Sequence, residues 1–99
     1  MFKKMRLKYH GYEKYGKIIK VEDVPVRFNI HALCIKRLTV EYCVNNQVYE
    51  VIQEFNLVMP THMKIMVVGN SIRIRVDEDD PTDAYINEFD YPEYDLYQR

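Results

Sequence analysis

Little in this 99-residue chain is of the kind that staples small extracellular domains together. There are two cysteines, Cys34 and Cys43, too few for a disulfide framework. Three glycines and four prolines exclude collagen-like and low-complexity repeats. No apolar run approaches the roughly 18 residues that cross a bilayer, so no membrane span is expected. The N-terminal stretch MFKKMRLKYHGYEKYGK is basic but has no apolar core behind its charges, and it does not read as a secretory signal. The expectation is two reduced thiols in a cytoplasmic protein. The alternative is the soluble part of a membrane-associated one.

What is present suits one folded unit. Hydrophobic residues make up 47% of the chain, aromatic residues 13% and charged residues 29%, enough to build a core and too apolar for wholesale disorder. A single domain is expected across residues 1–99, with a core over about 14–89, a basic N-terminal segment over 1–13 and an acidic, tyrosine-rich tail over 90–99. The formal net charge of −1 gives no global attraction to nucleic acid. It hides two poles. Residues 1–20 carry seven Lys and Arg against one Glu, a balance of +6, and residues 77–99 carry nine Asp and Glu against one Arg, a balance of −8. Such poles attract, within a chain or between copies.

Short β-rich runs separated by turn residues dominate the pattern. The first is Tyr15–Val21, and the following Val24–Ile30, with Pro25, reads as an edge segment or loop. In Ile35–Val44, Leu38, Val40, Tyr42 and Val44 alternate with Arg37, Thr39, Glu41 and Cys43, the period of a half-buried strand. Asn45-Asn46 suits a two-residue type I′ turn, because asparagine tolerates positive φ. The return strand is Gln47–Leu57. This register pairs Tyr42 with Tyr49 and Val40 with Val51 on an apolar face. It pairs Arg37 with Glu54 on the other, and sets Glu41 opposite Glu50, a like-charge pair that needs a nearby cation or good solvation. A second hairpin is expected from Met63–Val68 through Gly69-Asn70 to Ser71–Val76. It pairs Val67 with Ile72, Ile65 with Ile74 and Met63 with Val76, and leaves Lys64, Arg73 and Arg75 on a basic outer face. Asp80, Pro81 and Asp83 predict a short helix or helical turn over Pro81–Glu88.

The order of these features resembles a family of small bacterial domains, domain of unknown function 3592. The resemblance rests on Gly16-Lys17-Ile18-Ile19, on Val40-Glu41-Tyr42 through Asn46 to Tyr49, and on Gly69-Asn70-Ser71-Ile72-Arg73-Ile74 through Asp80-Pro81 to Ala84. It covers about residues 15–86. These are turn and strand signatures. The chain departs from the family in having Asp83 before Ala84 where a second proline is usual, and in lacking the transmembrane helices many relatives carry. The resemblance implies an architecture and no catalytic residues.

Chemistry-bearing patterns are thin. His31-x-x-Cys34 with Cys43 lacks the second ligand pair of a zinc site. Acids at Asp77, Asp79, Asp83 and Glu88 occupy four positions of a calcium loop, but Thr82 stands where the sharp turn needs glycine, so an EF-hand is excluded. The plain reading is a solvated acidic turn. His10 and His62 have no sequence-near partner of catalytic type, and no nucleophile elbow or phosphate loop is present. No catalytic residue, metal or cofactor is expected.

The expected fold is all-β: a small five- to six-stranded barrel or bent antiparallel sheet with a short C-terminal helical turn. The expected role is a non-enzymatic interaction or assembly module with a protein partner or self-association, its candidate interaction tail being Tyr91, Tyr94 and Tyr97. The alternative is a small barrel that binds single-stranded nucleic acid, with Lys64, Arg73 and Arg75 as the binding face and Tyr42 and Tyr49 as stacking rings. The basic N-terminus also suits weak contact with anionic lipid, its apolar anchors Phe2, Met5 and Leu7 being few.

Overall fold

The computed structural model describes residues 10–24, 35–56 and 60–90. Five strands form one antiparallel sheet: β1 (Gly11–Asp23), β2 (Lys36–Val44), β3 (Gln47–Phe55), β4 (Ser71–Asp77) and β5 (Ala84–Ile86), in the order β3-β2-β1-β4-β5. A one-turn helix α1 (Pro60–Met63) joins β3 to β4, and a 3-10 turn η1 (Glu88–Asp90) follows β5. The Pro25 segment lies outside the described residues.

The β2–β3 hairpin has the register that its alternation sets. Val44 pairs with Gln47, Tyr42 with Tyr49, Val40 with Val51 and Arg37 with Glu54. Asn45 and Asn46 both hold positive φ, 51° and 67°, the signature of the type I′ turn whose twist matches the strands. Tyr42 and Tyr49 share the inner face with their rings stacked, centroids 5.7 Å apart.

β1 is longer than the expected Tyr15–Val21 and serves two ladders. Gly11 through Lys17 pairs with β4, from Asp77 back to Ser71. Lys17 through Asp23 pairs with β2, from Glu41 back to Lys36, with a bulge at Ile19. The strand must bend to do both, and bulges and glycines are how strands bend. Gly16 sits at the handover. A Cβ there would lie 2.5 Å from Val40 Cγ1 and 3.1 Å from the Glu41 carbonyl oxygen, so the two strands approach closely only because residue 16 has no side chain.

The bend curls the sheet until its two ends meet. The alternation of directions makes β3 and β5 parallel, and side chains join them. Gln53 Oε1 accepts from the Ile86 amide at 2.8 Å, the Tyr42 hydroxyl donates to the Pro81 carbonyl at 2.6 Å, and Phe55 meets Phe89 edge-on at 5.2 Å. Inside sit Ile18, Leu38, Val40, Ile72, Ile74, Val76 and Ile86, all essentially fully buried. Branched side chains dominate this core because they fill a pleated surface with little loss of rotamer freedom.

Two expectations are corrected. The second hairpin does not form. The His62 carbonyl accepts from Ile65 and Met66, closing a helical turn where a strand was expected. Met66 is buried, while Val67 and Val68 are 51% and 59% exposed. Gly69 does hold positive φ (101°), but it and Asn70 exchange hydrogen bonds with Ile18, extending the β1–β4 pairing. The inward residues Ile72, Ile74 and Val76 were legible. Their partner was not, because β1 is far away in sequence and a nearby apolar run mimicked it. The helix over Pro81–Glu88 is also absent. Asp80 Oδ1 caps the Thr82 amide (3.1 Å) and hydroxyl (2.6 Å), an Asx-type turn rather than a helix start. The Asp83 carbonyl then accepts from Asp77, which launches β5 alongside β4. The C-terminal helical turn is the 3-10 turn at Glu88–Asp90.

Gly16→Ala should lower unfolding free energy by about 1–3 kcal/mol, the usual penalty of overpacking, measured by denaturant titration. Unchanged stability would show that β1 and β2 can part at no loss.

Tyr42 supplies a second expected outcome. Burial above all, with the charges of Tyr49, Asp80 and Asp83 adding to it, raises its phenol to about 12. The unfolded phenol titrates near about 10. The folded chain therefore holds this proton more tightly than the unfolded one, so stability is intact below about pH 10 and falls between there and about 12. Tyr42→Phe should remove that alkaline slope and, through loss of the Pro81 bond, cost roughly 1 kcal/mol at neutral pH, as read by denaturation across pH.

Candidate interaction surface

Strand alternation and register decide what reaches the outside of the curled sheet. Three rows cross the outer side of β1, β2 and β3: Lys17–Glu41–Glu50, Lys20–Thr39–Ile52 and Glu22–Arg37–Glu54, of which Thr39 is buried. Cys43 and Val48 form a further outward pair near the hairpin end, and Cys43 is an exposed free thiol. Val48 and Ile52 are 62% and 61% exposed, although both are β-branched aliphatics that strands normally bury. Tyr15, on the outer face of β1 beside Arg73, is 63% exposed.

The charges are unevenly matched. Arg37 donates to Glu54 Oε2 through Nε (3.1 Å) and Nη2 (2.7 Å), with Glu22 3.9 Å from Nη1, and its affinity for the proton rises through the Glu54 hydrogen bond and charge. Glu41 does oppose Glu50, and Lys17 stands across from Glu41 on β1 without forming an ion pair to it. Glu50 lies one strand farther out. Among the described residues neither Glu41 nor Glu50 makes an ion pair.

The candidate basic face is divided by the fold. Arg73 and Arg75 both lie on β4, whereas Lys64 stands in the turn after α1. Arg73 is engaged by Glu88: its backbone amide (2.8 Å) and Nε (3.1 Å) donate to Oε1, and Nη2 donates to Oε2 (2.9 Å). Glu88 is 6% exposed, so this is a buried, bidentate pair. Its carboxylate also continues the β4–β5 ladder, taking the Arg73 amide just after Asn87 has donated to the Arg73 carbonyl. Arg75 Nη2 donates to the Gly11 carbonyl. Tyr42 and Tyr49 belong to the inner face, so they are not stacking rings for an outer ligand. Cys34, Tyr91, Tyr94 and Tyr97 lie outside the described residues. Among the described residues, no three His, Cys, Asp or Glu side chains gather as metal ligands would. No helix among them is long and apolar enough to cross a membrane.

Sequence reasoning missed Glu88 as the partner of Arg73, Gln53 as the seam residue and Tyr15 as an exposed ring. The only advance signal for Glu88 was a carboxylate closely following the apolar Ala84-Tyr85-Ile86 run. No family model matches the chain, and neither a curated protein nor a solved structure shows significant similarity to it.

Glu88→Ala should destabilise the domain by about 3 kcal/mol, because it strands a largely buried guanidinium. Glu88→Gln, which keeps an acceptor for the Arg73 amide, should recover part of that loss. Equal melting of wild type and Glu88→Ala would mean that Arg73 rotates to solvent without penalty.

Proposed function

We propose that this domain is a non-enzymatic interaction or assembly module that works through the outer face of β2 and β3. The observation that carries this reading is the pair of exposed aliphatics, Val48 and Ile52, standing among charges that are only partly compensated. Aliphatic side chains grouped on an exposed sheet face are the material of protein contacts, with charge supplying orientation and rate.

A second feature supports self-association. Gly11 pairs with Asp77, and the Glu78 amide donates to the His10 carbonyl at 3.2 Å. The N-terminal end of β1 therefore lies beside the acidic run that begins at Asp77. The start of β1 and the start of the acidic run thus share one rim, a placement that suits charge contact within a chain or exchange between copies.

The nucleic-acid reading has one observation in its favour. A β1-β2-β3-β5-β4 barrel with β1 shared is the connectivity of the partly open five-stranded barrels that bind oligonucleotides, and Tyr15 lies exposed on the same strand as Lys17 and Lys20. Those barrels use the face of strands 2 and 3, the loop between strands 1 and 2, which here lies mostly outside the described residues, and the loop between strands 4 and 5. Here that face holds Glu41, Glu50 and Glu54 against Arg37, and that loop holds Glu78, Asp79, Asp80 and Asp83. Both repel phosphate, which favours a protein ligand.

Sedimentation of the full chain should show association at low salt that declines at high salt, and a chain ending at Asp90 should associate less. Labelled oligothymidylate should not bind at physiological salt. A strict monomer at both salt levels, combined with salt-sensitive oligothymidylate binding, would replace the module reading with the nucleic-acid one.

A further inference from the structure

We infer that the β2–β3 outer face receives an extended segment of a partner protein, one that presents an arginine flanked two residues away on each side by an aliphatic side chain. The inference rests on the interaction-module reading and names its ligand.

Glu41 and Glu50 are directly opposed in the ladder. Alternation from the turn-closing Val44–Gln47 pair makes Glu41–Glu50 a non-hydrogen-bonded pair, the kind whose side chains stand closest, about 4.5–5.5 Å between Cβ atoms. Like charges at that spacing destabilise a sheet, and the one cation across from them, Lys17, faces Glu41 rather than Glu50. Two neighbouring carboxylates offer what a guanidinium fork takes best: several acceptors on one side of a plane. Lysine, a point charge, would satisfy them less completely.

The flanking positions define the rest of the ligand. Along β3, Val48 and Ile52 stand two residues to either side of Glu50, on the same face and both mostly exposed. Along β2, Cys43 is exposed beside Glu41 on that face, whereas Thr39, on its other side, is buried. An extended chain also shows one face at every second residue, about 6.6 Å apart. A strand laid over the face with its arginine above Glu41 and Glu50 therefore brings its neighbours at two residues before and after over Val48 and Ile52. Charge complementarity selects a cation at the centre, and the exposed aliphatics select apolar neighbours. Polyphosphate ligands meet the same carboxylates as repulsion.

The test uses the full chain and three probes: the capped heptapeptide TVTRTIT, the same peptide with glutamate in place of arginine, and labelled oligothymidylate. Binding is followed by methyl and amide shifts in NMR titrations. The arginine peptide should bind, with Val48 and Ile52 methyls among the largest shifts. Glu50→Lys should weaken it at least tenfold and should gain affinity for the glutamate peptide. The Glu50→Lys variant removes a like-charge pair, so its melting temperature should be unchanged or raised, which separates loss of binding from loss of fold. Equal binding of the arginine peptide by wild type and Glu50→Lys overturns the inference, as does no binding to wild type. If salt-dependent self-association persists while the arginine peptide fails, this inference falls and the module reading stands. If oligothymidylate shifts Val48 and Ile52, both fall.

Discussion

β1 is paired along its first half to β4 and along its second half to β2, and Lys17 alone belongs to both ladders. Sharing one strand between two hairpins forces a bend, and the bend needs somewhere to happen. Gly16, where β1 and β2 come too close for a side chain, and the bulge at Ile19 provide it. The curl that follows brings Gln53 to Ile86 and Phe55 to Phe89, and it encloses the branched core. A straight β1 would leave a flat five-stranded sheet with its apolar face in water.

The same bend sorts the charges. Alternation puts Lys17, Lys20 and Glu22 of β1 outward, in rows with the outward residues of β2 and β3, so the outer face is a lattice of charges with aliphatics between them. Arg37 is matched by Glu54 and Glu22, and Arg73 by Glu88. Among the described residues, Glu41, Glu50 and the Lys17 across from Glu41 make no ion pair. The opposed carboxylates thus share the outer face with the exposed side chains of Val48 and Ile52.

Local signals were legible and long-range ones were not. Asn45-Asn46 and the strict alternation around it gave the hairpin to the residue, because a two-residue turn leaves one register that buries Val40, Tyr42 and Val51 together. The like-charge opposition of Glu41 and Glu50 came out of the same register. The inward face of β4 was legible through Ile72, Ile74 and Val76. Its partner was misread because Met63, Ile65 and Val67 share a strand's alternation, although the chain turns helically there. At Asp80 and Pro81 the residues suit a helix start and an Asx turn alike. The fold chose the turn because Asp83 could then return a carbonyl to Asp77. Of the candidate basic face, the engagement of Arg73 by Glu88 was not legible, because a buried carboxylate fifteen residues away leaves no local trace. The exposure of Val48 and Ile52 follows from the hairpin register, but its place in the molecule required the curl.

The seam between β3 and β5 has a mechanical consequence. The described side-chain links across it are a glutamine amide, a tyrosine hydroxyl and an aromatic contact, in place of a continuous run of peptide bonds locked to peptide bonds. The barrel is thus two leaves, β2–β3 and β4–β5, sharing β1 as a spine. Across that seam the leaves are held by these side chains and by the core they enclose together. Shortening the side chain at position 53 would therefore take the acceptor away from the Ile86 amide and leave every backbone ladder as it is, as removing one stitch leaves the cloth on either side whole.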